Sequence, residues 1–481
     1  MEFIVAIELG SSKMTGIAGR KNLDGSISVL AVVKEDSTSC IRKGVVYNID
    51  KTAQCITNIV KRLKTILKTD ITQVYVGVGG QSIRGVKNVI VKEMEGETKV
   101  TQEMINEIMD ANRNMSYPEQ EILDAATQEY KVDVQYQLDP VGIQCSRLEG
   151  NFLNILWRKT FYRNLNKCFD NAGIAIAEMY LAPLAMADSV LTEAEKRAGC
   201  VLIDLGADTT TVSVYSKNIL RHLAVIPLGG NNITKDIASL QLEERDAEKL
   251  KLTYGSAFTD NADIDNTLNL SIDKDRSVES RKFIEIVEGR VNEIIANAWF
   301  QVPNEYADKL LGGIIITGGG SNMPNIERAI RNQTHVEKIR IAKFVTHTID
   351  SNSPEINAHD GTMNTVLALL AKGDMNCAGD EISNSLFDSD DNKIGIQTAD
   401  LHKTPRNPND IQGKGVVQTE AEKKMAEEEA RRAEEERLHR EEEERLERER
   451  QEAEERRRNS PLRKALRWIK DFGKTITDDE E

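Results

Sequence analysis

Between the first residues and about Lys372, two hydrophobic periods take turns along the chain. Period-two and continuous apolar runs mark strands: FIVAIEL, MTGIAGR around a GSSK turn, SISVLAVVKE and VYVGVGG. From Lys51 to Lys68 the period becomes helical, with Ala53, Ile56, Ile59, Val60, Leu63 and Leu67 on one face. Residues 82–156 read as extended runs around one helix, TQEMINEIMDANRN, and so as a small inserted α+β subdomain. GCVLIDLG, ADTT and TVSVYS then repeat the opening pattern about 200 positions later: a strand, an acid (Glu8, then Asp204), Leu-Gly, a small polar turn, and a second strand. Such a repeat predicts two similar halves. A long helix is expected over Val278 to Gln301. GGIIITGGGSNMP then reads as a buried strand, a glycine turn and a helix entry at Pro324.

The pattern stops after Lys372. Residues 373–419 are rich in Asp, Asn, Ser and Gly without a period, and are expected to form a flexible linker. Residues 420–458 are almost pure Glu, Arg and Ala. Glu427–Arg431 and Glu441–Arg445 exemplify repeated i,i+4 pairs with Glu first, which predict a solvated spacer helix; a coiled coil and a disordered linker are the rivals. In residues 460–476, Ser460 is placed as an N-cap and Pro461 at the first helical position. Leu462, Leu466, Ile469 and Phe472 line one face, Arg467 and Lys470 flank it, and Trp468 sits at the boundary. That is the pattern of an amphipathic helix lying on an anionic membrane surface.

The 481 residues carry a net charge of −15, which disfavours nucleic acid as a partner because that needs clustered cations. No apolar run reaches 18 residues, so no spanning segment is expected. Met1 is followed directly by a strand-like run, so no secretory leader is expected. The six cysteines lack a CxxC pair, which predicts reduced, buried thiols in a cytosolic protein. His222 reads as a structural or surface residue.

The chemistry lies in three glycine turns, each leaving a hydrophobic strand. Gly10, Ser11, Ser12 and Lys13 offer backbone N–H groups, two hydroxyls and a cation. Asp204, Gly206, Asp208, Thr209 and Thr210 offer carboxylates and hydroxyls. Gly318, Gly319, Gly320 and Ser321 offer bare backbone for a purine or ribose. Glu8 and Asp204 are expected to face each other and hold Mg²⁺ through water. Neither common phosphate-loop fingerprint is present, so the three turns count only together.

In their order and context, the turns resemble the two phosphate motifs and the adenosine motif of the actin-like ATPase superfamily. With VTQEMI, DPVGI, LRHLAVIPLGGNNITKDIA and DAEKLK, the chain more closely resembles the bacterial FtsA cell-division family. That resemblance implies a bilobal actin-like α/β fold. Residues 1–81 and 157–198 become subdomain 1A, 82–156 subdomain 1C, 199–230 and 312–372 subdomain 2A, and 231–311 subdomain 2B. It implies ATP and Mg as cofactors, with Glu248 and Lys251 reaching the ribose and adenine side. It implies an actin-like self-polymer, capture of the FtsZ C-terminal tail at subdomain 2B around Arg290, and recruitment of later division proteins. It places the protein on the cytoplasmic face of the inner membrane at the septum. A pilus-assembly scaffold or a small-molecule kinase of the superfamily is the alternative.

Two departures from the family pattern carry consequences. Ala207 and Asp208 replace glycines in the second phosphate turn, and Thr211 replaces its final acid, so an anion at Asp208 is expected to weaken nucleotide affinity. Ala182-Pro183 stands where hydrolysing relatives carry a water-positioning Gln or Glu, so turnover is expected to be slow.

Overall fold

The computed structural model describes residues 2–264, 269–271 and 276–381. The chain opens with an antiparallel meander, β1 (Ile4–Leu9), β2 (Lys13–Lys21) and β3 (Ile27–Asp36), followed by a small hairpin, β4 (Ile41–Arg42) and β5 (Val45–Val46). Helix α1 (Ile49–Leu67) starts where the Asn48 side chain accepts from Lys51 N–H, and ends at Lys68 in the left-handed region. Its predicted apolar face is the buried one: Ala53, Ile56, Ile59, Val60 and Leu63. Strands β6 (Thr69–Ile71) and β7 (Gln73–Val78) follow.

The insertion comprises β8 (Arg84–Lys99), α2 (Gln102–Arg113), β9 (Gln120–Val132), β10 (Gln135–Gln137) and β11 (Gln144–Arg158). Thr101 caps α2, and its buried Ile105 and Ile108 join Leu148, Phe152 and Tyr130 in a separate small core. The chain then runs through α3 (Lys159–Ala172), β12 (Ala175–Leu181), α4 (Ala182–Val190) and α5 (Glu193–Ala198). A capping box between Thr192 and Glu195 sets the start of α5.

The second half repeats the meander as β13 (Cys200–Leu205), β14 (Thr210–Ser216) and β15 (Ile219–Ile226). Then come α6 (Gly230–Ala238), α7 (Glu244–Tyr254), the hairpin β16 (Asn269–Ser271) and β17 (Ser277–Glu279), α8 (Ser280–Phe300), α9 (Asn304–Ala307), β18 (Gly313–Thr317), α10 (Ile326–Thr334) and β19 (Ile339–Ile341). Strand β20 (Ile349–Asp350), α11 (Pro354–Asn357), α12 (Asn364–Lys372) and β21 (Ala378–Glu381) return to the first half.

The two sheets show the repeat as topology. One runs β12-β7-β1-β2-β3-β20, and the other contains β15-β14-β13-β18-β19. In each, an antiparallel three-strand meander is extended by parallel strands on the side of its first strand. This is an actin-like α/β fold. Two large cores flank the sheets, one around Ile7, Ile17, Ile59 and Val76 and the other around Ile203, Val214, Phe283, Ile314 and Ile316.

Two findings change the predicted organisation. The insertion's strands do not form an isolated sheet: β8 meets β15 through Ala224↔Arg84, giving a nine-stranded sheet β10-β9-β11-β8-β15-β14-β13-β18-β19. The flexible linker assigned to 373–419 does not begin at 373. Residues up to 381 belong to the folded body: β21 pairs with β6, and Cys377 is buried. Local composition concealed this because the segment's partners, Phe3, Tyr75 and β6, lie far back along the chain. The remainder of that linker, the charged segment 420–458 and the amphipathic segment 460–476 lie outside the described residues. Among the described residues, no helix is long and apolar enough to cross a membrane.

Candidate functional site

The first turn, Gly10–Lys13, joins β1 to β2. Ser37 Oγ donates to Gly10 O at 2.6 Å, and Ser37 N–H donates to Ser12 O at 3.3 Å. Ser11 Oγ accepts from Gly44 N–H at 2.8 Å, so the β4–β5 hairpin is fastened to the same turn. Gly44 has φ 71°, and its Cα lies so near Gly80 that an added Cβ would come within 2.4 Å of the Gly80 Cα. Only glycine permits that approach.

The second turn occupies the equivalent place between β13 and β14. Gly206 N–H donates to Thr209 O at 2.9 Å. Thr210 is buried, and its hydroxyl donates to Leu228 O at 2.9 Å, which makes it a structural tie within this half. Helix α6 starts on this turn: Gly230 N–H donates to Gly206 O at 3.0 Å and Asn231 N–H to Ala207 O at 2.7 Å. The Gly229-Gly230 pair belongs to the site although no role was assigned to it from sequence. The available signal was a glycine doublet between a strand and a helix start.

The third turn packs directly on the second half's strand end. Gly318, with φ 83°, leaves an absent Cβ only 2.3 Å from Asp204 Oδ1. Ser321 Oγ donates back to Gly318 O at 2.7 Å, closing the turn. Beneath it, Asn364 Nδ2 donates to Thr317 Oγ1 at 2.9 Å and to Ala342 O at 2.8 Å, tying α12 to the end of β18. Sequence reading missed Asn364 because its partners lie far away along the chain.

Glu8 and Asp204 hold equivalent positions at the ends of β1 and β13. Glu8 is paired with Thr15 and Gly77, and Asp204 with Thr211 and Thr317. Burial and then the Asp204 charge push Glu8 up to about 8, against the pull of a Thr365 hydrogen bond and Lys34. Burial pushes Asp204 up to about 6. Two half-buried acids, with the Asp204 charge adding to the cost of ionising Glu8, form a site short of positive charge. Hard oxygen donors in that setting fit a divalent cation held through water.

Glu248 and Lys251 come together on α7 with a salt bridge of 2.6 Å. Lys251 Nζ also donates to Gly230 O at 3.1 Å and Thr234 Oγ1 at 2.9 Å. The pair thus stands behind the α6 start that carries the second turn. Each oxygen of the Asp208 carboxylate accepts from one neighbouring donor, Lys43 N–H at 3.0 Å and Asn231 Nδ2 at 2.7 Å. Ala182 and Pro183 begin α4, and neither offers a polar side-chain atom. Arg290, on α8, is bidentate to Asp236 at 2.5 and 3.1 Å. His222 is half-buried with Nε2 unpartnered, and burial lowers its pKa. All six cysteines are free thiols. A cavity of about 400 Å³ adjoins the third turn, lined by Ser321, Asn325, Arg328 and Lys343 among others.

Residues 201–361 match the family model for "Cell division protein FtsA", and residues 80–156 match that for the "SHS2 domain inserted in FTSA". The chain is 33% identical to the cell division protein FtsA of Porphyromonas gingivalis over 350 residues, covering 71% of this chain and 73% of that protein. It is 33% identical to the Neisseria meningitidis protein of the same name over 333 residues, covering 67% and 80%. Among solved structures, a chain of the PilM-PilN type IV pilus biogenesis complex shares the fold with a TM-score of 0.54 at 16% identity, covering 77% of this chain and 98% of that one. With three glycine turns on a duplicated meander and relatives of this identity and coverage, the chain belongs to the FtsA family of cell division proteins.

Proposed function

We infer that this protein is an ATP-binding adaptor of cell division that joins FtsZ filaments to the cytoplasmic face of the inner membrane at the septum. The observation that carries the nucleotide part is the pairing of two equivalent strand-end turns, each beside a half-buried acid, with the glycine turn 318–320 stacked on one of those acids. Backbone N–H groups of the Gly10–Lys13 turn and of Ala207–Thr209 bind phosphate oxygens. Glu8 and Asp204 hold Mg²⁺ through water, and the metal offsets the charge of the polyphosphate. The Gly318–Ser321 turn receives the nucleoside, and Glu248 and Lys251, beside the α6 start, approach its ribose and adenine side. Ala182-Pro183 leaves no side chain to orient water, so the nucleotide acts chiefly as a ligand that favours an actin-like polymer.

Subdomain 2B, residues 231–311, presents the surface for the FtsZ C-terminal tail. Arg290 serves there less as a free cation than as a strut between α8 and Asp236. The amphipathic segment at 460–476 holds the assembly on anionic lipid, with Leu462, Leu466, Trp468, Ile469 and Phe472 inserted and Arg467 and Lys470 at the headgroups. Family membership supports this division role. Sedimentation of the full chain with anionic vesicles, with and without FtsZ, tests it. FtsZ is expected in the pellet only when the protein is present, and absence of FtsZ from every pellet overturns the adaptor reading.

A further inference from the structure

The second turn carries an acid where a glycine was expected, and the structure gives that acid a specific pair of partners. Asp208 Oδ2 accepts from Lys43 N–H at 3.0 Å, and Oδ1 accepts from Asn231 Nδ2 at 2.7 Å. The two donors belong to opposite halves of the molecule. Lys43, with φ 51°, lies in the β4–β5 turn. That turn is fixed to the first half by Gly44 N–H on Ser11 Oγ and by Gln81 N–H on Lys43 O at 2.8 Å. Asn231 opens α6, which is seated on Gly206 and Ala207 in the second half.

We propose that Asp208 is an internal anion that latches the two halves across the cleft and competes with the phosphates of an incoming nucleoside polyphosphate. This rests on the nucleotide site proposed above. The donors it occupies are the kind an anionic oxygen seeks, and a carboxylate held by the same turn competes at high effective concentration. A phosphate entering beside Ser11 meets this fixed negative charge as well as losing the Lys43 donor. The latch must open, or swing out of the turn, for the last phosphate to settle. A second consequence is selectivity: the penalty rises with the number of phosphates and vanishes for adenosine.

The experiment uses the full chain and two variants, Asp208→Asn and Asp208→Gly. Asn keeps the size but removes the charge and puts an N–H₂ against one of the two donors. Gly removes the side chain altogether. Hydrogen exchange of the ligand-free proteins reads the latch without any nucleotide: exchange of the Lys43 amide is expected to rise several-fold in both variants. Calorimetry then reads the competition. Mg-ATP is expected to bind Asp208→Gly about tenfold tighter or more than wild type, Mg-ADP to gain less, and adenosine to gain nothing. Unchanged exchange at Lys43, or equal Mg-ATP affinity in all three proteins, overturns the latch and leaves the site standing. No binding of Mg-ATP to any of the three removes both. Matching melting curves exclude misfolding of the Asn variant, and the Gly variant suits a turn that already tolerates glycine.

Discussion

The Tyr75 hydroxyl accepts hydrogen bonds from the backbone N–H groups of Asp374 at 3.0 Å and Met375 at 2.8 Å, and donates to Asp374 Oδ1 at 2.8 Å. A central strand of the first sheet therefore grips the chain where it leaves α12. Asn376 Oδ1 accepts from Phe3 N–H at 3.1 Å, and Cys377 N–H donates to Phe3 O at 2.8 Å, completing a clip. Gly373 fits between Ile4 and Tyr75, with only 2.4 Å left to Ile4 for an added Cβ. Replacing Tyr75 by Phe leaves two backbone donors without their partner, at a cost of about 1–3 kcal/mol. Amide exchange across residues 373–381 is expected to accelerate while that of β1 stays slow. Equal protection in both proteins would show that the hydroxyl contributes nothing.

Asp204→Ala should abolish binding of Mg-ATP by calorimetry, because it removes the strand-end carboxylate offered to the metal. The same change is expected not to weaken the ligand-free protein. Its carboxylate is half-buried beside Glu8, where its charge is a cost without a cation. Lost nucleotide binding with an unchanged or raised melting temperature is the expected pair of results. Loss of both would mark Asp204 as a structural residue only.

Asp124 on β9 gives a pH signature. It is buried, accepts from Ala125 N–H at 2.8 Å, and is pushed by burial from 3.8 up to about 7, against the pull of that bond and of Arg113. The folded protein holds this proton more tightly than the unfolded chain does. Its contribution to stability is therefore complete below 3.8, falls as pH rises through the interval to about 7, and stays at its minimum above. The slope from one such group is at most about 1.4 kcal/mol per pH unit. Asp124→Asn removes that slope. Urea midpoints at pH 5 and pH 8 should show the variant gaining on wild type at the higher pH, and a constant difference between them would count against the shift.

Phosphate release in steady state should run below about 0.1 s⁻¹, well under the ~1–10³ s⁻¹ common among enzymes. The reason is chemical: Ala182 and Pro183 can neither orient water nor accept its proton. Several turnovers per second would require a base from elsewhere in the cleft.

Trp468→Glu should abolish sedimentation of the full chain with anionic vesicles, since it removes apolar area and buries a charge at the acyl boundary. Pelleting equal to wild type would move the anchor elsewhere.

Much of this protein was legible along the chain because its information is local. The strand periods, the helix at Lys51 to Lys68, the repeated strand-acid-turn unit and the three glycine turns depend on residues a few positions apart, and all fall where the periods put them. The two acids were legible too, since a repeat at fixed spacing forces Glu8 and Asp204 into equivalent places. What the chain could not reveal were relationships between segments far apart in sequence. Tyr75 gripping Asp374, Asn364 under Thr317, and β8 joining β15 are set by how whole elements pack. The segment after Lys372 looked like linker because its partners, Phe3 and Tyr75, lie at the other end of the folded body's sequence, which local composition does not report. Asp208 shows the same limit in the opposite direction. Its sequence position announced a charge beside the phosphates, but only the folded cleft brings Lys43 N–H and Asn231 to it, and hydrogen bonding to partners from both halves decides what that charge does.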